Sequence, residues 1–238
     1  MTTETTAPSR RRQQHLLLDA DDTLWENNVY FERAIAEFLD FLGHSSMSRE
    51  DVRAVLDEIE RANAQVHGYG SAAFSRNLTE TYRRLAEREI GDNDLAIVMN
   101  FGERVQGQPM ELIDGVEETL IELSTRHQLV LVTKGEAEEQ RLKIDRSGLA
   151  HHFAHARIVS EKHPGVYEDI VADLSLDAEK TWMIGNSPKS DINASLAAGL
   201  NAVFIPHEMT WSLEHAEIEH QDGRLLVLTR FTELVHHF

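Results

Sequence analysis

Five short apolar runs govern what this chain can fold into: Leu16-Leu17-Leu18 and residues 129–132, 156–160, 181–184 and 201–205. Each is too short for a helix and lacks polar alternation, the pattern of strands buried on both faces of a parallel sheet. Helical patterns fill residues 111–126, 136–146, 164–174 and 189–198, so strand and helix alternate from residue 111 onward. Alternation of this kind predicts an α/β fold, a doubly wound parallel sheet covered by helices on both sides.

The first run stands alone, separated from the second by a stretch that reads as helix throughout. Phe31, Ala34, Ile35, Phe38, Leu39 and Leu42 recur at helical spacing and end at Gly43. Ser48 is the expected N-cap of a second helix carrying Val52, Val55, Leu56, Ile59 and Val66. Ser71 is the expected cap of a third, with Phe74, Leu78, Tyr82 and Leu85, and a fourth follows Asp92 with Leu95, Met99, Gly102 and Val105. The expected organisation is an α/β core of residues 15–29 and 109–238, a helical bundle of residues 30–108 inserted into it, and a disordered leader over residues 1–14. The insertion joins the core near Asn28 and Pro109, the expected hinges.

Composition removes several classes of function. With no cysteine, disulfides, Cys-ligated metals and a thiolate nucleophile are excluded. The longest apolar run is residues 95–99, far short of the roughly 20 residues of a membrane-spanning helix. The polar N-terminus, with Arg10-Arg11-Arg12 and no apolar segment after it, lacks the pattern of a secretory signal, and the expected location is cytoplasmic. Forty-one acidic against 23 basic residues give a net charge of −18, which disfavours nucleic acid as a partner.

In open α/β sheets ligands bind beyond the carboxyl ends of the strands. Here those ends carry Asp19 and Asp21, then Thr133, Lys134 and Gly135, then Glu161 and Lys162, then Gly185, Asn186 and Ser187 with Asp191 a turn later. Asp19 suits covalent attack on an electrophile and Asp21 proton transfer to its leaving group. Thr133 and the backbone N–H groups of Lys134 and Gly135 suit binding of oxygen atoms, Lys162 supplies positive charge, and one or two carboxylates suit Mg²⁺. Each residue also has a plainer reading. The aspartates fit a solvated turn, Thr133 a helix cap, Lys162 a surface lysine, and Asp191 the acidic first turn of a helix. Trp25 fits packing beside the first run. Tyr69, His207, Thr210 and Trp211 fit structural roles as well as contact with a ligand, Glu136, Glu138 and Glu139 a solvated helix start, and the His151, His152 and His155 group a surface loop.

Together, LLLDADDTLW, LVLVTKG, SEKHP and MIGNSPKSDI resemble, in order, the four motifs of the haloacid dehalogenase-like hydrolase superfamily. The helical insertion resembles the superfamily's cap domain. The resemblance implies Asp19 as nucleophile forming an aspartyl-phosphate, Asp21 as general acid and later base, Thr133 as a phosphoryl ligand, and Lys162 as the cation stabilising both. It implies Mg²⁺ held by Asp19, the backbone carbonyl of Asp21, and Asp191. An acid at Asp21 favours the phosphatase branch, acting on a small phosphorylated metabolite, over dehalogenases, whose halide leaving group needs no proton. Phosphotransfer or mutase chemistry, dehalogenation and a catalytically silent binding protein are the rival readings.

One departure stands out: many relatives have aspartate where this chain has Asn186, which keeps an oxygen for the metal, as ligand or as partner of a ligand, and gives up one negative charge. Restoring that charge is expected to change metal dependence. Titration of activity with Mg²⁺ in wild type and Asn186→Asp checks this, with saturation at lower Mg²⁺ expected in the variant, and identical curves contradict it.

Overall fold

The computed structural model describes residues 13–219 and 223–238; the polar leader expected over residues 1–14 lies almost wholly outside them. Six parallel strands form one sheet: β1 (His15–Leu18), β2 (Gln128–Lys134), β3 (His155–Val159), β4 (Thr181–Gly185), β5 (Asn201–Phe204) and β6 (Leu225–Val227). Their order is β3-β2-β1-β4-β5-β6, a doubly wound sheet whose strand order reverses beside β1.

Period-two geometry explains why the strands are apolar throughout. Leu16 and Leu18 of β1 enter one layer with Leu129 and Leu131 of β2, while Leu17 enters the opposite layer with Val130 and Val132. The first layer is covered by α5 (Val116–Ser124), α6 (Ala137–Ser147) and the short C-terminal α9 (Leu234–His237), through Leu120, Leu123, Ile144 and Leu234. The second is covered by α7 (Pro164–Asp173) and α8 (Ala194–Ala197), through Tyr167, Ile170 and Ala194.

Between β1 and β2 lie α1 (Asn28–Leu42), α2 (Arg49–His67), α3 (Ser71–Leu85) and α4 (Asp92–Glu103). They bury an apolar cluster of their own, with Phe38, Leu56, Leu78, Tyr82 and Val98 at its centre. Ser48 caps α2 in a reciprocal box with Asp51. The two chain segments that join this insertion to the sheet lie side by side, Glu26 N–H donating to the Glu111 carbonyl (2.9 Å) and Ile113 N–H to that of Leu24 (3.0 Å).

Several sequence expectations shift. Residues 111–113 pair with residues 24–26, so the helix expected from residue 111 starts only after Gly115. Val66 is 75% exposed, because the last turn of α2 runs out past the cluster. Ser71 does not cap α3; Gly70 holds that position, and the Ser71 N–H and hydroxyl go instead to Glu139 of α6. Residues 188–193 form a π-helical turn rather than α-helix, with Ile192 N–H reaching the Ser187 carbonyl (3.1 Å). The edge strand β6 has no counterpart among the expected strands. Among the described residues no helix is long and apolar enough to cross a membrane.

Packing of α3 on α4 is closest at Gly102, where a Cβ would lie 2.7 and 2.8 Å from Cα and N of Ser75. The obstacle is backbone, which cannot rotate away. Gly102→Ala is therefore expected to destabilise the protein by about 1–3 kcal/mol despite alanine's higher helix propensity. Denaturant unfolding measures it; a stabilised variant contradicts the close approach.

Candidate active site

The central strands β1 and β4 lie in register, Leu18 beside Ile184, so the residues that follow them emerge together. Asp19 continues β1, its N–H donating to the Ile184 carbonyl (2.9 Å). Lys162, just past β3, reaches across the strand ends and places its ammonium between Asp19 Oδ1 (2.5 Å) and Asp191 Oδ1 (2.7 Å). The side chains of all three are buried, Lys162 at 2% and Asp191 at 1% exposure. The π-helical turn swings Asp191 back under the strand end, where its other oxygen accepts the Ser187 N–H (3.0 Å). That return brings Asp191 against Gly185, where a Cβ would lie 2.9 Å from its Cβ, so only glycine fits. Burial first, then the Asp191 charge, push the Asp19 carboxyl up to about 7 against the pull of Lys162. Lys162 is itself held well above its ordinary value by the two aspartates, against its burial.

Asp21 faces the same cavity and is gripped from three sides. Its carboxylate accepts from Trp25 Nε1 (2.7 Å), Gln140 Nε2 (3.0 Å) and Lys143 Nζ (2.9 Å). Burial opposes ionisation, but Lys143 and the hydrogen bonds outweigh it and hold the carboxyl below its usual range. Gln140 and Lys143, one turn apart on α6, are functional neighbours that the sequence reading missed; a polar pair on one helix face carries no signal by itself.

Thr133 is buried and donates to Gln140 Oε1 (3.1 Å) at the cavity wall. Lys134 turns its ammonium to Glu214 and to Glu161 (3.3 Å), over the ring of Tyr69 (4.5 Å). Gly135 lines the cavity, but its N–H, expected to bind substrate oxygen, is committed to the Val159 carbonyl (3.0 Å) as β2 runs on beside β3. Thr133 does not cap α6 either; Glu136 does. Glu139, read as solvated, is buried against Ser71, and Tyr69 and Trp211 enter the cavity wall.

Asn186 is oriented by its neighbours. Its Nδ2 donates to Thr210 Oγ1 (3.2 Å), whose own hydroxyl donates to the His207 carbonyl (2.9 Å). The carboxamide oxygen consequently faces Thr23, whose hydroxyl lies 2.9 Å from Asp19 Oδ2 and 3.4 Å from Asn186 Oδ1. Asp19, Asp191 and Asn186 thus present oxygen donors only, and two carboxylates against one ammonium leave one negative charge in excess. That donor set fits a hard divalent cation. A different group, Asp22, Glu26 and His207, also brings ligand atoms within 4.8 Å of one another. There Asp22 also accepts the N–H groups of Asn27 and Asn28 (2.9 Å each) at the start of α1.

A family model described as haloacid dehalogenase-like hydrolase matches residues 14–199. A haloacid dehalogenase-like family hydrolase from Xanthomonas campestris superposes with a TM-score of 0.82 at 29% identity, covering 95% of this chain and 94% of that one. The N-acylneuraminate-9-phosphatase of Mus musculus is 22% identical over 80% of this chain and 81% of its own length. The phosphoserine phosphatase of Thermus thermophilus is 29% identical over 32% of this chain, a match spanning only 33% of that enzyme. 2-Haloacid dehalogenases are among the solved structures that share the fold.

Removing the ammonium alone leaves two buried carboxylates without a counter-charge. Lys162→Met is expected to cost about 3–5 kcal/mol at neutral pH. The loss shrinks as pH falls toward 5, because protonation of an aspartate whose folded-state pKa exceeds its unfolded value favours the folded state at low pH. Urea unfolding of variant and wild type between pH 5 and 8 measures this; a pH-independent difference contradicts it.

Proposed function

The chain belongs to the haloacid dehalogenase-like hydrolase family, and from that premise we propose that it is a Mg²⁺-dependent phosphatase acting on small phosphate monoesters. The observation that carries this reading is Asp21: a second carboxylate, two residues beyond Asp19, oriented by Trp25, Gln140 and Lys143 in the same cavity. An alcohol leaving group needs a proton and a halide does not, so a held proton-transfer group favours the monoester. Both curated relatives named above are phosphatases, which supports the same branch.

In this reading an Asp19 oxygen attacks phosphorus and the P–O bond to the alcohol breaks; Asp21, ionised at rest, first takes a proton from the incoming monoester monoanion or from water and passes it to the alcohol oxygen. Water then attacks the aspartyl-phosphate, Asp21 takes the water's proton, and the Asp19–phosphorus bond breaks to release inorganic phosphate. Lys143, Gln140 and Trp25 favour the ionised form of Asp21, which is the form the second step requires. Lys162 keeps Asp19 from repelling the incoming phosphoryl oxygens, and the Thr133 hydroxyl, which lines the cavity and donates to Gln140 here, would turn its proton to one of them. Mg²⁺ would be held by Asp19, Asp191, the backbone carbonyl of Asp21 and the oriented Asn186 oxygen; when bound it neutralises phosphoryl oxygens. The insertion of residues 30–108 serves in this proposal as the cap that shields the cavity from water.

The test is phosphate release from a panel of sugar phosphates, nucleotides, phosphoglycolate and phosphoamino acids with Mg²⁺, in wild type and Asp19→Asn. Release of inorganic phosphate with at least about 10³-fold loss in the variant is expected for a removed nucleophile. Full activity in Asp19→Asn refutes the mechanism. Transfer to a second hydroxyl without free phosphate favours the phosphotransferase reading, and halide release from 2-haloacids the dehalogenase one.

A further inference from the structure

The cavity, about 160 Å³, continues from the strand ends into the helical insertion, and its two walls differ in chemistry. The strand-end wall carries Lys134, Lys143 and Lys162, each already paired with carboxylates. The insertion wall is apolar at Phe31, Ile35 and Phe74, and it carries a carboxylate, Glu60 of α2. Glu60 is 5% exposed, and among the described residues it accepts one hydrogen bond, from Trp211 Nε1 (3.2 Å), and takes part in no ion pair. The nearby guanidinium of Arg53 is engaged elsewhere, bidentate on Glu32 (2.6 and 2.8 Å) and on Asp57 (2.7 Å).

Glu139 of α6 lies on the seam between the walls and is equally buried. Its Oε2 accepts from Ser71 N–H (2.9 Å) and hydroxyl (2.8 Å), while Oε1 is buried with no hydrogen-bond partner. Two carboxylates withdrawn from water without cations are costly in a folded protein. Burial first, then the Asp57 and Glu32 charges, push the Glu60 carboxyl up to about 7 against the pull of the Trp211 hydrogen bond and the Arg53 charge, and a cation seated against it would restore its ionised form.

We propose that Glu60, supported by Glu139, forms a subsite for a cationic amino group, so that the substrate is a small phosphorylated amine with its phosphate at Asp19 and its ammonium at Glu60. The apolar side chains of Phe31, Ile35 and Phe74 suit the methylenes between the two charges. A carboxylate beside the amine, as in a phosphoamino acid, meets no unpaired cation on this wall and is selected against. This assignment deepens the phosphatase reading and rests on it for the position of the phosphate.

Three esters of similar size test it: 2-aminoethyl phosphate, ethyl phosphate and O-phosphoserine, with the full chain and Mg²⁺. Wild type is expected to show kcat/KM at least about tenfold higher for 2-aminoethyl phosphate than for either of the others, the size of one charge-assisted hydrogen bond. Glu60→Gln is expected to bring the aminoethyl-to-ethyl ratio close to one. A wild-type ratio near one, which needs no variant to fold, overturns the subsite, as does a ratio that survives Glu60→Gln. Calorimetric binding separates this from the underlying reading. If no ester is hydrolysed but 2-aminoethyl phosphate binds more tightly than ethyl phosphate, the subsite stands and hydrolysis falls; equal binding overturns the subsite.

Discussion

One buried ammonium organises the catalytic end of this sheet. Lys162 sits between Asp19 and Asp191, and without it two carboxylates would face one another in a region closed to water. Much of the local architecture places these three groups. β3 carries Lys162 to the strand ends, β1 and β4 run in register to present Asp19 beside Gly185, and the π-helical turn returns Asp191 to a spot that only a glycine leaves open. Because two acids share one base, the cluster keeps a negative charge in excess, and that excess makes an oxygen-only donor set receptive to a divalent cation.

The same logic repeats across the cavity with the signs rearranged. Every lysine on the strand-end wall is in an ion pair, whereas among the described residues Glu60 and Glu139 accept hydrogen bonds but meet no cation. The seam between sheet and insertion is itself polar: Tyr69 donates to Glu161, Trp211 to Glu60, Ser71 to Glu139, and Arg146 to the carbonyls of Gln106 and Gln108. These polar contacts, with the edge-to-face packing of Tyr69 on Trp211, join the insertion to the sheet in this structure. The net charge of −18, which on its face argues against an anionic substrate, is not offset by the three lysines of the strand-end wall alone, because each is paired with carboxylates; in the proposed reading a divalent cation would supply the remaining positive charge.

What the sequence disclosed and what it hid follow from how far apart the interacting residues lie. Leu16–Leu18 and residues 129–132 read as strands because both of their faces are buried, which leaves an unbroken apolar run. The strand-end polar residues were legible because topology alone sends them to one place. β6 was not, being three residues long at the sheet edge with Val227 61% exposed, so no pattern marks it. Glu139 read as solvated because its partner Ser71 is 68 residues away, and Glu60 meets Trp211 across 151 residues. Gln140 and Lys143 were equally hidden, since their partner Asp21 precedes them by more than a hundred residues. The Gly135 N–H was misread for a local reason: β2 stays hydrogen-bonded to β3 as far as Gly135, three residues past the end of its apolar run.

The central claim is covalent: Asp19 takes the phosphoryl group and Asp21 prepares the water that removes it. Slowing the second step should make the first visible. Acid-quenched mass spectrometry of Asp21→Asn, mixed with Mg²⁺ and a phosphate monoester that wild type hydrolyses, reads this directly. The account predicts one added phosphoryl group on the peptide containing Asp19, absent from the same peptide in Asp19→Asn. Continued phosphate release with that peptide never modified would contradict it.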